Sequence, residues 1–172
     1  MDRGRGALAF VAITTIFVGT LAQHDTLEAD VAALHRFANS TGFSGWRIQS
    51  GWLSDNSTVC VAAESLDFPS CSAWYGVACS PCPAGGQRQR VTSIDLAGNR
   101  LFGTLPADLR GAYGFGLSRL ETLNLTYNRL FGTLPADNSS WCQTSPWTSL
   151  HALRLSGNAF RGELPRGLAV CV

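Results

Sequence analysis

The sequence predicts an α/β solenoid, in which short repeated units stack on one another. The decamer NRLFGTLPAD occurs twice, at residues 99–108 and 128–137, which is a spacing of 29 positions (128 − 99). A looser copy, NAFRGELPRG, begins 30 positions later, at Asn158. Each copy follows a run of alternating apolar residues, the pattern of a strand with one buried face. Periods of about 20–50 residues are typical of stacked units that bury their apolar faces against one another.

The N-terminus has the features of a secretory signal. Arg3 and Arg5 precede an apolar stretch that ends in a small residue, Ala22. This stretch, residues 7–22, is shorter than the roughly 20 residues that span a bilayer. We therefore expect a cleaved signal at residues 1–22, with the mature chain secreted or held at the extracellular face of the cell surface. A cap and connector at residues 23–90 and three repeats at residues 91–172, beginning near 91, 120 and 150, complete the predicted domains.

The charge of the chain argues against polyanionic partners. The sequence has 13 Lys+Arg and 12 Asp+Glu, and removal of the signal leaves 11 of each. The one basic cluster, QRQR at residues 87–90, is expected to be a solvated linker. We expect no nucleic-acid partner and no membrane span in this chain.

The predicted cap begins with a helix. Asp25 and Glu28 have the spacing of a capping box. Apolar residues then recur with helical spacing at Leu27, Val31, Leu34 and Ala38. Residues 43–83 have little periodicity but contain three tryptophans, at positions 46, 52 and 74, and four of the six cysteines. We expect the helix to dock on this crosslinked segment and close one end of the solenoid.

The repeats begin at Val91, Leu120 and Leu150 and share the spacing LxxLxLxxNxLxGxLP. The asparagines of this pattern are Asn99, Asn128 and Asn158. An asparagine amide at a fixed position can satisfy backbone groups where the chain turns away from the strand. We therefore expect the copied decamer to be mostly scaffold.

This spacing resembles the leucine-rich repeats of plant-type extracellular proteins. The segments STGFSGW (residues 40–46), GWLS (51–54) and CSAWYGVACS (71–80) are similar to the N-terminal cap of that family. The resemblance implies a short right-handed coil with a parallel sheet on its concave side, a helical, disulfide-linked cap, and recognition as the general function. Two features depart from the family: the repeats exceed its usual length of about 24 residues, and no C-terminal cap is recognisable before Val172.

Six cysteines in an exported chain predict three disulfides. The resemblance implies Cys71 bonded to Cys79, which leaves Cys60 for Cys82. Cys142 and Cys171 occupy near-equivalent places on adjacent turns, and we expect them to pair. A redox role for Cys79-Ser-Pro-Cys82 and a zinc site at the first four cysteines are weaker interpretations. Four sequons predict glycosylation, at Asn39, Asn56, Asn124 and Asn138.

No pattern of residues indicates an enzyme. His24, His35 and His151 are scattered and lie in none of the motifs that carry hydrolytic or metal chemistry. We therefore expect no catalytic residues, no cofactor and no metal site.

Ligand recognition is predicted on the outward-facing positions of the strands. Asp95, Asn124 and Arg154 occupy equivalent positions and are expected to form one polar column, with Thr126 and Tyr127 at its end. Arg154 is the predicted anchor, because arginine and aromatic side chains supply most interface affinity. The column can also be read as a solvated row that only supports itself. In the second insert, Trp141 and Trp147 can be core filler or a partner-binding loop.

The sequence thus predicts a recognition module for a protein, peptide or cell-wall carbohydrate. Alternatives are the N-terminal part of a receptor kinase ectodomain, or a structural surface protein without a specific ligand. Because the third repeat has no recognisable cap, self-association through it is a further expectation.

Overall fold

The computed structural model describes residues 27–53, 59–60, 71–80, 89–106, 116–134 and 149–164. The predicted signal peptide, Asp25 of the predicted capping box, and both tryptophans of the second insert lie outside these ranges. The described helices are α1, Leu27–Ser40, and a 3-10 turn, Phe43–Gly45. Neither has the length or the hydrophobicity that a membrane crossing requires.

Helix α1 docks on the repeats through its apolar stripe. Leu34 and Ala38 of the predicted stripe are buried, and Phe37 is buried beside them. The Thr41 hydroxyl donates to the Phe37 carbonyl at 2.7 Å and so satisfies a carbonyl of the last helical turn.

Three tryptophans fill the cap. The Trp52 ring lies 4.8 Å from that of Trp46 and 5.0 Å from that of Trp74, between ring centroids. The indole N–H groups of Trp46 and Trp52 donate to the carbonyls of Thr41 and Tyr75, each at 2.9 Å. Their burial therefore leaves neither donor unpaired, and the cap has a core continuous with that of the repeats.

The described strands are β1 (Val77–Ser80), β2 (Arg90–Asp95), β3 (Phe102–Gly103), β4 (Thr122–Asn124), β5 (Arg129–Gly132), β6 (Ala152–Arg154) and β7 (Ala159–Phe160). The first sheet has the order β1-β2-β4-β6. Strands β2, β4 and β6 open the three repeats and are parallel, whereas β1 comes from the cap and is antiparallel to β2. The predicted solenoid with a parallel sheet is confirmed, and its N-terminal sheet edge is covered by the cap.

A second sheet forms within the copied decamers. Its order is β3-β5-β7 and its strands are parallel. The sequence did not predict this sheet, because strands of two to four residues are too short to show a periodicity. Each repeat therefore contributes one strand to each of two sheets, and the leucines of the first two repeats are buried in the core that both sheets adjoin.

The repeat asparagines bond each unit to the one before it. The Asn128 amide oxygen accepts from the Leu101 N–H at 3.0 Å, and its NH₂ group donates to the Leu96 carbonyl at 2.8 Å. Asn158 makes the same bonds to the second unit. Asn99 has no preceding repeat and bonds both backbone groups of Ile48 in the cap, at 2.7 and 3.0 Å. The predicted role of these amides is confirmed.

Burial decreases in the third repeat. Leu123 and Leu125 of the second repeat are fully buried, whereas their equivalents Leu153 and Leu155 are partly exposed. Leu164 is 74% exposed, although the equivalent Leu134 is buried. The third repeat therefore gains less hydrophobic stabilisation than the second.

The disulfide pairing implied by the resemblance is wrong. Cys60 is bonded to Cys79, with Cα atoms 5.7 Å apart. Cys71 is also in a disulfide, and its partner lies outside the described residues. Residues 60 and 72 form an antiparallel bridge, which places Cys60 close to the start of β1. Since Cys79 is bonded to Cys60, the C-x-x-C segment is not a redox pair, and these oxidised sulfurs are not available as zinc thiolates.

Arg90 is not a solvated linker residue, contrary to the prediction for QRQR. Its guanidinium forms a two-point ion pair with Asp30 of α1, at 2.8 and 2.9 Å, and the Asp30 side chain is 0% exposed. Asp30 also accepts from the Val91 N–H at 3.0 Å, and Arg90 donates to the Ser118 hydroxyl at 3.0 Å. A single buried network therefore joins the cap helix, the first strand of the repeats and the segment before β4.

We predict that Asp30→Asn lowers the free energy of unfolding by about 3–5 kcal/mol, because it leaves the Arg90 charge buried without its counter-ion. Urea denaturation measures this loss. Glu28→Gln, at an exposed position in the same first turn of the helix, is the matched control and should change stability by less than about 1 kcal/mol. A loss below about 1 kcal/mol in Asp30→Asn would show that the pair contributes little.

Candidate functional site

The first sheet brings three predicted site residues into register. The Cα of Asp95 pairs with that of Asn124, which pairs with that of Arg154. The side chains at these positions point away from the core, because their strand neighbours Ile94 and Leu123 are buried. We call the surface formed by Asp95, Asn124, Thr126, Tyr127 and Arg154 the first-sheet face.

One half of this column supports itself. The Asn124 NH₂ group donates to an Asp95 carboxylate oxygen at 3.1 Å, and the same oxygen accepts from the Ala97 N–H at 3.2 Å. The Asn124 amide oxygen accepts from both the N–H and the hydroxyl of Thr126, at 3.2 and 3.0 Å. The interpretation as a self-supporting polar row therefore describes Asp95, Asn124 and Thr126 well.

Arg154 is different, since its side chain is exposed and makes no hydrogen bond or ion pair with any described residue. The column thus has an engaged carboxylate at one end and an uncommitted guanidinium at the other. The positions around it carry small side chains, Ser93, Ala97 and Ala152 among them. Among the described residues the face is therefore shallow, and Arg154 can pair there with a carboxylate brought by a ligand.

Tyr127 combines high exposure with an unfavourable backbone conformation. It is 77% exposed, and its φ is 55°, in the left-handed region that costs an L-residue roughly 1–2 kcal/mol. The equivalent positions in the other repeats are Gly98 and Gly157, with φ of 61° and 73°. A Cβ added to Gly157 would lie 2.7 Å from Tyr127 Cδ1, so the ring extends over the third repeat.

The tyrosine belongs to the same edge of the sheet as the arginine. The Tyr127 N–H donates to the Ser156 carbonyl at 2.9 Å, and Ser156 lies two residues beyond Arg154, the last residue of β6. The sequence singled out Tyr127 for its aromatic ring and missed its conformation. The signal was present, because glycine occupies this position in the other two repeats.

The remaining predicted residues are distributed over the molecule. Asn39 is exposed at the end of α1, whereas Asn124 is half-buried on the first-sheet face. His35 stacks on Trp74 in the cap, with ring centroids 5.4 Å apart, and His151 is exposed. Asn56, Asn138, Cys82, Cys142 and Cys171 lie outside the described residues. In the part of the chain that the structure describes, no cluster of His, Cys, Asp and Glu could hold a metal.

Comparison with known proteins agrees with this architecture. A family model described as Leucine Rich Repeat matches residues 90–112, 119–141 and 149–171. The ectodomain of the receptor kinase SOBIR1 from Arabidopsis thaliana is similar at 22% identity and a TM-score of 0.50, over 80% of this chain and 58% of that chain.

Two further Arabidopsis thaliana structures are similar. One is the BIR3–SERK2 complex, at 25% identity and a TM-score of 0.48, over 82% of this chain and 62% of that one. The other is the BIR2 ectodomain, at 24% identity and a TM-score of 0.45, over 80% and 61%. No curated protein sequence matches the chain. The chain spans about three fifths of the length of these solved chains, and the likeness concerns the fold.

We predict that Gly157→Ala is more destabilising than Gly98→Ala, as measured by urea denaturation. Both substitutions place an L-residue at positive φ, which costs about 1 kcal/mol or more. Only Gly157→Ala also drives a methyl group against the Tyr127 ring, because a Cβ at Gly98 would meet nothing within 4 Å. The excess loss should shrink when Gly157→Ala is made in a Tyr127→Asn background. Equal losses for the two alanine variants would contradict the close packing of Tyr127 on the third repeat.

Proposed function

We propose that this chain, whose three repeats match the Leucine Rich Repeat family model and whose fold is similar to a plant receptor ectodomain, acts by non-covalent recognition outside the cell. The proposed ligand is a protein or peptide, and the first-sheet face is its binding surface. The observation that carries the proposal is that two exposed residues lie at one edge of the sheet. Arg154 has no hydrogen-bond or ion-pair partner among the described residues, and Tyr127 is held in a strained backbone conformation.

Physical chemistry favours this use of the two residues. Arginine and tyrosine are the side chains most enriched in interface hot spots, where each can contribute 2 kcal/mol or more to binding. A bulky residue held at positive φ persists only when the surrounding structure imposes it, and such strain is concentrated at functional sites. Asp95 and Asn124 then have a supporting role, since their hydrogen bonds fix the polar column beside which the ligand would lie.

The test uses a phage-displayed library of random twelve-residue peptides, selected on the immobilised wild-type protein. We expect a class of peptides whose binding falls at least tenfold in both Arg154→Ala and Tyr127→Asn, measured by biolayer interferometry. Arg161→Ala is the matched control, because Arg161 is an exposed arginine of the same repeat that follows β7 of the second sheet. This class should bind Arg161→Ala as tightly as the wild type.

Two outcomes would contradict the proposal. One is a selection in which no peptide distinguishes the Arg154 and Tyr127 variants from the wild type. The other is full glycan occupancy at Asn124, found by glycopeptide mapping, together with peptide binding that is unchanged in Arg154→Ala. A glycan at Asn124 would cover the middle of the face, and binding that did not depend on Arg154 would then have to use another surface. Binding of cell-wall polysaccharides alone would point to the carbohydrate function.

We also infer that the third repeat is a site of self-association. Its strand β6 lies at the edge of the described first sheet, and its Leu164 is exposed while Leu153 and Leu155 are only partly buried. An unpaired parallel strand beside apolar side chains favours pairing with another chain.

We therefore predict concentration-dependent association in sedimentation velocity, suppressed by Leu164→Glu. In the monomer, hydrogen exchange should be faster in β6 and β7 than in β2 and β4, because fewer apolar contacts protect the third repeat. A strictly monomeric protein with equal protection in β4 and β6 would contradict this inference.

A further inference from the structure

The copied decamers repeat a surface as well as a scaffold. Their asparagines and leucines are buried, and stacking explains why those residues are the same in both copies. The residues between them are exposed, yet Arg100, Phe102 and Thr104 of the first copy recur as Arg129, Phe131 and Thr133 in the second. Stacking geometry does not require identical exposed side chains, and least of all phenylalanine.

The two phenylalanines form an apolar pair on the outside of the second sheet. Phe102 is 61% exposed and Phe131 is 41% exposed, although their rings touch, with centroids 5.2 Å apart and planes tilted by 56°. Burying these rings against a partner would remove apolar surface from water, which favours binding. Single exposed apolar residues are common on protein surfaces and need no explanation. Two exposed rings in contact form a contiguous apolar patch, which is a feature of binding surfaces.

Arginines surround this pair. The Cα of Phe102 pairs with that of Arg129 on the neighbouring strand, so the two side chains lie on the same face. Phe131 pairs in the same way with Ala159, whose strand is followed by the exposed Arg161. Arg100 is also exposed, two residues before Phe102, where β3 begins. We call the surface formed by Arg100, Phe102, Arg129, Phe131, Arg161 and Glu163 the second-sheet face; it carries three cations and one anion.

We propose that the second-sheet face is a second binding surface, which recognises an acidic segment of a partner protein. In this proposal, an apolar side chain of the partner packs on the Phe102–Phe131 pair, and carboxylates on either side of it pair with Arg129 and Arg161. Arginine suits this task, because its planar guanidinium binds carboxylates with two parallel hydrogen bonds.

Charge decides between the candidate occupants. Two copies of this chain meeting face to face would bring the excess of arginines against itself, which disfavours a symmetric dimer through this surface. A neutral polysaccharide could stack the C–H faces of its sugars on the phenylalanine rings, but it carries no carboxylate to pair with the guanidinium groups. An acidic protein segment satisfies both the rings and the guanidinium groups.

The experiment is a selection of phage-displayed random twelve-residue peptides on the wild-type protein, with two variants for comparison. Phe102→Ser/Phe131→Ser removes the rings, and Arg129→Gln/Arg161→Gln removes the charges. All four side chains are exposed or lie at the surface, and none of these positions has positive φ, so both variants should remain folded, as circular dichroism can verify. Arg154→Ala, on the first-sheet face, is the control.

We expect peptides that contain a large apolar residue flanked by Asp or Glu and that bind each double variant at least tenfold more weakly than the wild type. Their binding should weaken with added salt and be unchanged in Arg154→Ala. Because binding of these peptides does not depend on Arg154, the experiment can refute the proposal for the second-sheet face without refuting that for the first-sheet face, and the reverse.

Four results would overturn the proposal. The first is the absence of any peptide that depends on both the rings and the arginines, and the second is dependent peptides that lack acidic residues. The third is a change from dimer to monomer in Phe102→Ser/Phe131→Ser, seen in sedimentation velocity, which would assign the face to a second copy. If polygalacturonate binds in a manner that depends on both double variants while no peptide does, the face recognises an acidic polysaccharide instead.

Discussion

The structure depends on how each repeat satisfies its backbone where the chain leaves the first sheet. At that point backbone N–H and C=O groups face the core, and no adjacent strand supplies their hydrogen-bond partners. The asparagine of the following repeat supplies both a donor and an acceptor there, at 2.8–3.0 Å from Leu96 and Leu101 in the case of Asn128. A buried peptide group without such a partner would cost several kcal/mol. Each turn of the solenoid is therefore completed by its successor, and the order of the chain fixes the order of the stack.

The same constraint explains the division between scaffold and surface. Asparagine and leucine side chains occupy the interior of each turn, so only the positions between them are free to vary. On the first sheet these positions present Asp95, Asn124 and Arg154, which differ from repeat to repeat. On the second sheet they present the same phenylalanine twice. The first sheet therefore carries a polar column that changes from repeat to repeat, and the second sheet carries a repeated apolar and cationic pattern. Since the two faces share no residues, two different ligands can bind them without competition.

Much of the fold could be predicted from the sequence, because it rests on periodic signals. The three repeat strands of the first sheet, the docking helix and the roles of Asn99, Asn128 and Asn158 all follow from spacing, whereas β1 of the cap was not predicted. The second sheet could not be predicted, since strands as short as β3 and β7 carry no periodicity. The Arg90–Asp30 ion pair could not be predicted either, because it joins residues 60 positions apart in the chain and its arginine lies in a segment that otherwise reads as a linker.

The candidate site was predictable in position but not in detail. Equivalent positions in a repeat must align, so the column from Asp95 to Arg154 followed from the repeat length alone. Which members of the column are engaged depends on side-chain geometry, and only the structure shows that Asn124 bonds Asp95 while Arg154 stays uncommitted. The Cys60–Cys79 bond could not be predicted either, because sequence spacing alone does not determine how four neighbouring cysteines pair.

The reach of Arg90 has a consequence for how such a chain can evolve. Its guanidinium holds Asp30 in the cap and Ser118 at the entrance to the second repeat, so these segments must keep a fixed separation. A unit inserted between the first and second repeats would move Ser118 away from this contact unless the new unit supplied an equivalent hydroxyl, and a unit deleted there would remove it. Among the described residues, the second and third repeats are joined by the asparagine and strand bonds common to every turn and by no comparable ion pair. A change in the number of units before the second repeat must therefore preserve the Arg90 contact, and a change beyond it meets no such requirement among the described residues.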